Sequence, residues 1–182
     1  MKPYDYANRD GVEEIDWQWF AGLARKLAQE LAGEGVEMIV GIARAGLVPA
    51  ATVACALRCD LTPVRVTRRD NDVVVRASPE WMVDVSPAVA GKVVAVVDEM
   101  ADSGETLALV ATRVRELGAA RVVTASLVAH TWAEPAPDHV ALTTDALVIF
   151  PWDQEVLIDG KWQQHPELAA ALGAQQDRAA GP

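Results

Sequence analysis

The residues best suited to chemistry lie between positions 92 and 107, where the apolar run Val93, Val94, Ala95, Val96, Val97 ends in two adjacent carboxylates, Asp98 and Glu99. A third carboxylate, Asp102, follows, and Ser103, Gly104, Glu105 and Thr106 lead into a helical pattern. A helix starting near Glu105 places Ser103 and Gly104 at its N-terminus, where free N–H groups and the helix dipole attract an anion. Ser103 and Thr106 add hydroxyl donors, and Gly104 lets the backbone approach closely. A phosphate suits this turn. Asp98 and Glu99 repel a phosphate but accept hydrogen bonds from vicinal hydroxyls and can help hold Mg²⁺. A ribose 5-phosphate satisfies both halves.

These groups need a scaffold that brings strand ends and helix starts together. The 93–97 run lacks polar alternation, as in a strand covered on both faces of a parallel sheet. Leu107, Val110, Ala111, Val114 and Leu117 recur at helical spacing up to Gly118. Trp17, Phe20, Leu23, Ala24, Leu27 and Leu31 mark an earlier amphipathic helix, opened by Asp16 as N-cap and closed around residues 33–35. Strands are expected at 36–42, 62–67, 122–129 and 147–150, with a helix at 47–57. The polar stretch 68–90 reads as irregular. Near the C-terminus a turn at Asp159 and Gly160 precedes a short helix at 166–172, and residues 174–182 read as a disordered tail. Alternating strands and helices predict an α/β fold, a doubly wound and mostly parallel sheet with helices on both faces.

Composition narrows the function classes. A length of 182 residues suits a single domain with a full core. A net charge of −10 argues against a broad nucleic-acid or anionic-membrane surface, so neither partner is expected. With no apolar run of 18 or more residues and a polar start at Met1, the expectation is a cytoplasmic protein. Cys55 and Cys59, four apart on an expected helix, lack companion Cys or His at metal spacing and read as ordinary thiols.

The segment from Asp98 to Thr106 resembles the phosphoribosyl-pyrophosphate motif of type I phosphoribosyltransferases: an apolar strand, two acidic residues, two mostly apolar ones, then Asp or Thr, Ser or Thr, Gly, any residue and Thr. The loop Ala43, Arg44, Ala45, Gly46, ahead of Leu47, Val48 and Pro49, resembles the pyrophosphate loop of 6-oxopurine phosphoribosyltransferases, in which the peptide before the basic residue is often cis. Pro151, Trp152 and Asp153 resemble the ending that, in bacterial xanthine-guanine enzymes, helps form the hood over the base.

The resemblance implies one phosphoribosyltransferase domain over 1–182, with a core at about 36–130 and a small hood from the N-terminal helix region and 140–172. It implies transfer of 5-phosphoribosyl from phosphoribosyl pyrophosphate to a nucleobase, a purine favoured, with Mg²⁺ assisted by Asp98, Glu99 and Asp153. Asp102 is the candidate general base, and a homo-oligomer is expected. At the base-reading positions the family's lysine corresponds to His130 and its stacking aromatic to Leu147, beside Val148, so Trp132 is the alternative stacking face. Arg65, Arg68, Arg69 and Arg76, around Asp70, Asn71 and Asp72, belong to a region that is a mobile lid in the family, with a hairpin limb at 73–75. Two other readings stay open: a non-catalytic sensor of phosphoribosyl pyrophosphate, and a transferase or hydrolase using an unusual acceptor.

Overall fold

The computed structural model describes residues 9, 11–67, 69–70, 73–74 and 80–179. The elements are β1 (Val12–Glu14), α1 (Trp17–Gly33), β2 (Met38–Ile42), α2 (Leu47–Leu57), β3 (Asp60–Thr67), β4 (Arg69–Asp70), β5 (Val73–Val74) and β6 (Glu80–Val83). After a 3-10 turn at Pro87–Val89 come β7 (Val93–Ala101), α3 (Glu105–Glu116), β8 (Arg121–Ala129) and β9 (His139–Thr143). The chain ends with β10 (Leu147–Ile149), β11 (Glu155–Ile158), β12 (Lys161–Gln164) and α4 (Pro166–Ala179). It divides into two compact units, one of residues 23–144 and the other of the flanking residues 1–22 and 145–182.

The larger unit is built on a six-stranded sheet ordered β6-β3-β2-β7-β8-β9. The pairings from β3 across to β9 are parallel, and β6 is antiparallel to β3. All five residues of β2 are buried, as are Val94 to Asp98 of β7, because a parallel sheet flanked by helices leaves no wet face. Val64, Val94, Val96, Leu107, Val110, Ala111 and Val114 form part of one continuous core. At Gly41 a Cβ would stand 2.7 Å from the Cβ of Ala50 and 2.9 Å from Cδ2 of Leu47, so the missing side chain lets α2 lie close on β2.

Chain order creates a crevice. The crossover after β2 runs through α2 to β3 on one side, and the crossover after β7 runs through α3 to β8 on the other. The carboxyl ends of β2 and β7 are thus the point where the winding reverses, the usual ligand position in open α/β sheets. Pairing of Gly41 with Val97 brings the loop after Ile42 beside Asp98.

In the smaller unit, β1 pairs parallel with β10 and β11 pairs antiparallel with β12. The Asp159 and Gly160 turn has φ of 50° and 75°, the left-handed pair that a two-residue hairpin requires. Asp16 caps the start of α1, its Oδ1 accepting from the Trp19 N–H at 2.7 Å. Phe150 stacks on Trp152 with centroids 4.9 Å apart, and Phe20 meets Trp152 edge-on at 5.4 Å.

Four expectations need correction. Residues 147–150 do not extend the main sheet, because β10 pairs with β1, whose three residues are too few to carry a pattern. Strand β9 follows β8 through a loop with no helix, so the strand-helix alternation did not mark it. The 68–90 stretch is not uniformly irregular: β4 pairs with β5, and β6 extends the sheet edge. Helix α4 continues to Ala179, past the expected stop at Gly173 and into the expected tail, since Ala and Gln favour helix enough to offset one internal glycine.

Candidate active site

The loop after β2 and the acidic end of β7 touch. Gly46 has ordinary right-handed helical φ, so space rather than backbone freedom demands glycine there. A Cβ would fall onto Oδ1 of Asp98, 2.5 Å from the carbonyl oxygen of Ile42 and 3.0 Å from Cα of Asp98. Ala43 donates its N–H to the Val64 carbonyl at 2.7 Å, and Leu47 donates to the Arg44 carbonyl at 3.1 Å, which ties the loop to both neighbours. The Ala43–Arg44 peptide is cis, as the resemblance implies. Arg44 is exposed.

Asp98 is buried, and its Oδ1 accepts from the Glu99 N–H at 2.9 Å. Burial first, and the neighbouring Glu99 charge second, lift its carboxyl well above the usual carboxylate range. Ionised Asp98 therefore needs hydroxyl donors or a cation. Glu99 is half-buried at the same strand end.

The turn from Asp102 to Thr106 leads into α3. Gly104, at φ 81°, occupies the left-handed region, and a Cβ there would run into the Pro135 carbonyl, so this glycine is required twice over. Glu134 donates its N–H to the Ser103 carbonyl at 3.0 Å, and His130 donates its N–H to the Ala101 carbonyl at 3.1 Å. The loop after β8 is thereby fixed against the turn. Ser103 Oγ accepts the Glu105 N–H at 3.4 Å, a long bond at the anion-attracting end of α3.

Asp102 has neighbours that its sequence position did not announce. Trp132 donates its indole Nε1–H to Asp102 Oδ1 at 3.3 Å. His130 is buried and stacks on Trp132 with centroids 4.4 Å apart and planes 20° apart. The Thr144 carbonyl, 2.5 Å from His130 Nδ1, can only accept, so Nδ1 carries a hydrogen. Nε2 lies 3.9 Å from Asp102 Oδ1. The imidazole is thus held by the backbone of Thr144. The sequence signal was the i, i+2 spacing of His130 and Trp132 at a strand end, read singly rather than as a pair.

The larger unit thus gathers the Ala43 to Gly46 loop, Asp98, Glu99, the Asp102 to Thr106 turn, His130 and Trp132 at the carboxyl ends of adjacent strands. Leu147, buried, and Val148, half-buried, lie on β10 of the smaller unit. Asp153 is also there, in a turn closed by its N–H on the Phe150 carbonyl at 3.0 Å. Arg69 opens β4, opposite Val74. Arg68 and Arg76 lie outside the described residues, as does 75 of the expected hairpin limb. Among the described residues no helix is long and apolar enough to cross a membrane.

Residues 13–159 match the phosphoribosyl transferase domain model, which takes in both the loop at 43–46 and the acidic strand end. The chain belongs to this family. It is 29% identical to a xanthine-guanine phosphoribosyltransferase of Idiomarina loihiensis, over 78% of this chain and 87% of that protein. It is 30% identical to the protein of the same name from Cereibacter sphaeroides, over 76% of this chain and 85% of that one. A purine phosphoribosyltransferase from Pyrococcus horikoshii superposes with a TM-score of 0.71 at 26% identity, covering 81% of this chain and 98% of the other. A Helicobacter pylori xanthine-guanine-hypoxanthine phosphoribosyltransferase, at 15% identity and a TM-score of 0.63 over 80% and 93% of the two chains, shares the fold.

Proposed function

We propose that this phosphoribosyltransferase moves the 5-phosphoribosyl group from phosphoribosyl pyrophosphate to a ring nitrogen of a purine, with 6-oxopurines the favoured class. The observation that carries the reading is the contact between Gly46 and Asp98. It joins a cation-bearing loop suited to a diphosphate to a carboxylate pair suited to ribose hydroxyls, one turn from an anion-attracting helix start. The xanthine-guanine and purine relatives support the choice of acceptor class.

In this reading Ser103 to Thr106 bind the 5-phosphate through the start of α3 and their own hydroxyls. Asp98 and Glu99 accept from the ribose hydroxyls, whose donors satisfy the buried carboxyl. The C1–oxygen bond to pyrophosphate breaks as the C1–nitrogen bond forms, the leaving diphosphate keeps the bonding pair, and Arg44 stabilises its charge. Asp102 accepts the proton of the incoming ring nitrogen. Arg68 and Arg69 belong to a lid that excludes water from the cationic ribosyl centre. Asp153, Val148 and Leu147 belong to a hood, and Trp132 and His130 line the base side.

The residues fit Mg²⁺. Asp98 and Glu99 are hard oxygen donors with a standing need for positive charge, and a magnesium ion typically combines one or two carboxylates with substrate phosphates. Asp98 and Glu99 would hold it, directly or through water, and bound there it would neutralise charge developing on the diphosphate.

Incubation with phosphoribosyl pyrophosphate and single bases, following pyrophosphate release with and without acceptor, tests the proposal. Release that depends on a 6-oxopurine supports it; release without any acceptor would make the protein a hydrolase, and none at all with measurable phosphosugar binding would make it a sensor.

A further inference from the structure

The third carboxylate is better supported than a free-standing base would need to be. Asp102 is half-buried on the turn between β7 and α3, whereas Trp132 comes from the loop after β8, and the two meet at 3.3 Å through the indole N–H. An indole can only donate, so it favours the carboxylate lone pairs and fixes which oxygen faces away from it. The ring itself is held flat by His130, stacked at 4.4 Å and 20°. His130 in turn is anchored twice, through Nδ1 on the Thr144 carbonyl at 2.5 Å and through its backbone N–H on the Ala101 carbonyl at 3.1 Å. Ala101 directly precedes Asp102. One of these anchors therefore lies on the backbone that carries the carboxylate, and the other on the segment after β9.

His130 Nε2 lies 3.9 Å from Asp102 Oδ1, beyond hydrogen-bonding distance, whereas the indole N–H reaches that oxygen at 3.3 Å. The donor is Trp132, and the imidazole supplies its plane. We infer that Trp132 is a positioning residue for Asp102, with His130 as the clamp that keeps the indole in place. Residue 130 thus serves the proton-accepting group as well as lining the base side.

The inference rests on the reading of Asp102 as the proton acceptor, and the experiment separates the two. Trp132→Phe keeps an aromatic face for His130 and removes only the N–H. It should lower kcat about 10- to 100-fold, the weight of one hydrogen bond to a charged group, while the KM for phosphoribosyl pyrophosphate changes less than twofold. In an Asp102→Asn background the same change should have little further effect, because the group it positions is gone. His130→Ala, which removes the clamp, should lower kcat in the same direction, and His130→Phe should restore part of the loss. Thermal melts of each variant identify any that fail to fold. If Asp102→Asn lowers kcat but Trp132→Phe leaves it unchanged, or if Trp132→Phe is equally damaging in the Asp102→Asn background, the positioning role is wrong. If Asp102→Asn itself leaves kcat intact, the assignment of the base fails instead.

Discussion

Adding one methyl group at Gly46 tests the architecture of the site without touching any charge. The new Cβ would sit 2.5 Å from the Ile42 carbonyl and 3.0 Å from Cα of Asp98, as well as on the Asp98 carboxylate. Ordinary contact requires about 3.4 Å or more, so the loop or the strand end must separate by close to 1 Å. Both obstacles include backbone of buried, hydrogen-bonded strands, which do not yield as a flexible side chain would. Forcing a methyl into such a place typically costs about 1–3 kcal/mol of stability. A misplacement of about 1 Å between groups that must act together can cost on the order of 10²-fold in rate. Gly46→Ala should therefore lower the urea midpoint modestly and reduce kcat/KM for phosphoribosyl pyrophosphate by about two orders of magnitude. Gly22→Ala is the matched control: it lies within α1, nothing lies within 4 Å of its Cβ position, and helix propensity alone should make it neutral or stabilising by up to about 1 kcal/mol. Gly46→Ala with control-like stability and kcat/KM within twofold of the parent would refute the packing argument.

Three further perturbations follow from the same geometry. Since burial raises the Asp98 carboxyl, the free protein is penalised as pH rises through its folded-state pKa; Asp98→Asn should raise Tm at pH 7, lose that advantage toward pH 3, and weaken phosphoribosyl pyrophosphate binding in calorimetry. A lower Tm at pH 7 with unchanged affinity would contradict the buried-carboxylate reading. Gly104→Ala combines a φ of 81° with a clash at Pro135, so it should destabilise more than Gly46→Ala in parallel urea melts. Pyrophosphate release should fall about 10²- to 10⁴-fold in Asp102→Ala with little change in the phosphosugar KM, and equal turnover would remove Asp102 from the chemistry.

The main elements were legible because their signals are local. An unbroken Val-rich run, a helical repeat ending at Gly118 and an acidic pair ahead of Ser103 and Gly104 each occupy a few adjacent residues, and α3 and the body of β7 followed from those alone, although β7 runs on past the expected end at Val97 to Ala101. Position along the sheet did not follow. Short β1 and β10 pair across more than 130 residues of sequence, and no periodicity in three residues can announce such a partner. In the site, Gly104 read as letting the backbone approach a ligand and Gly46 as part of the diphosphate loop, whereas their Cβ positions are filled by Asp98 at Gly46 and Pro135 at Gly104, a fact of distance rather than of composition. The Trp132 bond to Asp102 spans 30 residues, and only the parallel pairing of β7 with β8 brings the two loops together. His130 was singled out because it stands where the family has its base-reading lysine; the contact of its Nδ1 with the Thr144 carbonyl, 14 residues on, has no local signal in the sequence.

The most direct test is the identity of the product. With phosphoribosyl pyrophosphate, Mg²⁺ and guanine, xanthine or hypoxanthine, mass spectrometry should detect the corresponding nucleoside 5′-monophosphate, formed in equal amount to pyrophosphate and absent with the Asp98→Asn, Glu99→Gln double variant. A folded parent protein that binds phosphoribosyl pyrophosphate yet yields no purine nucleotide from any of the three bases would contradict the proposed transfer.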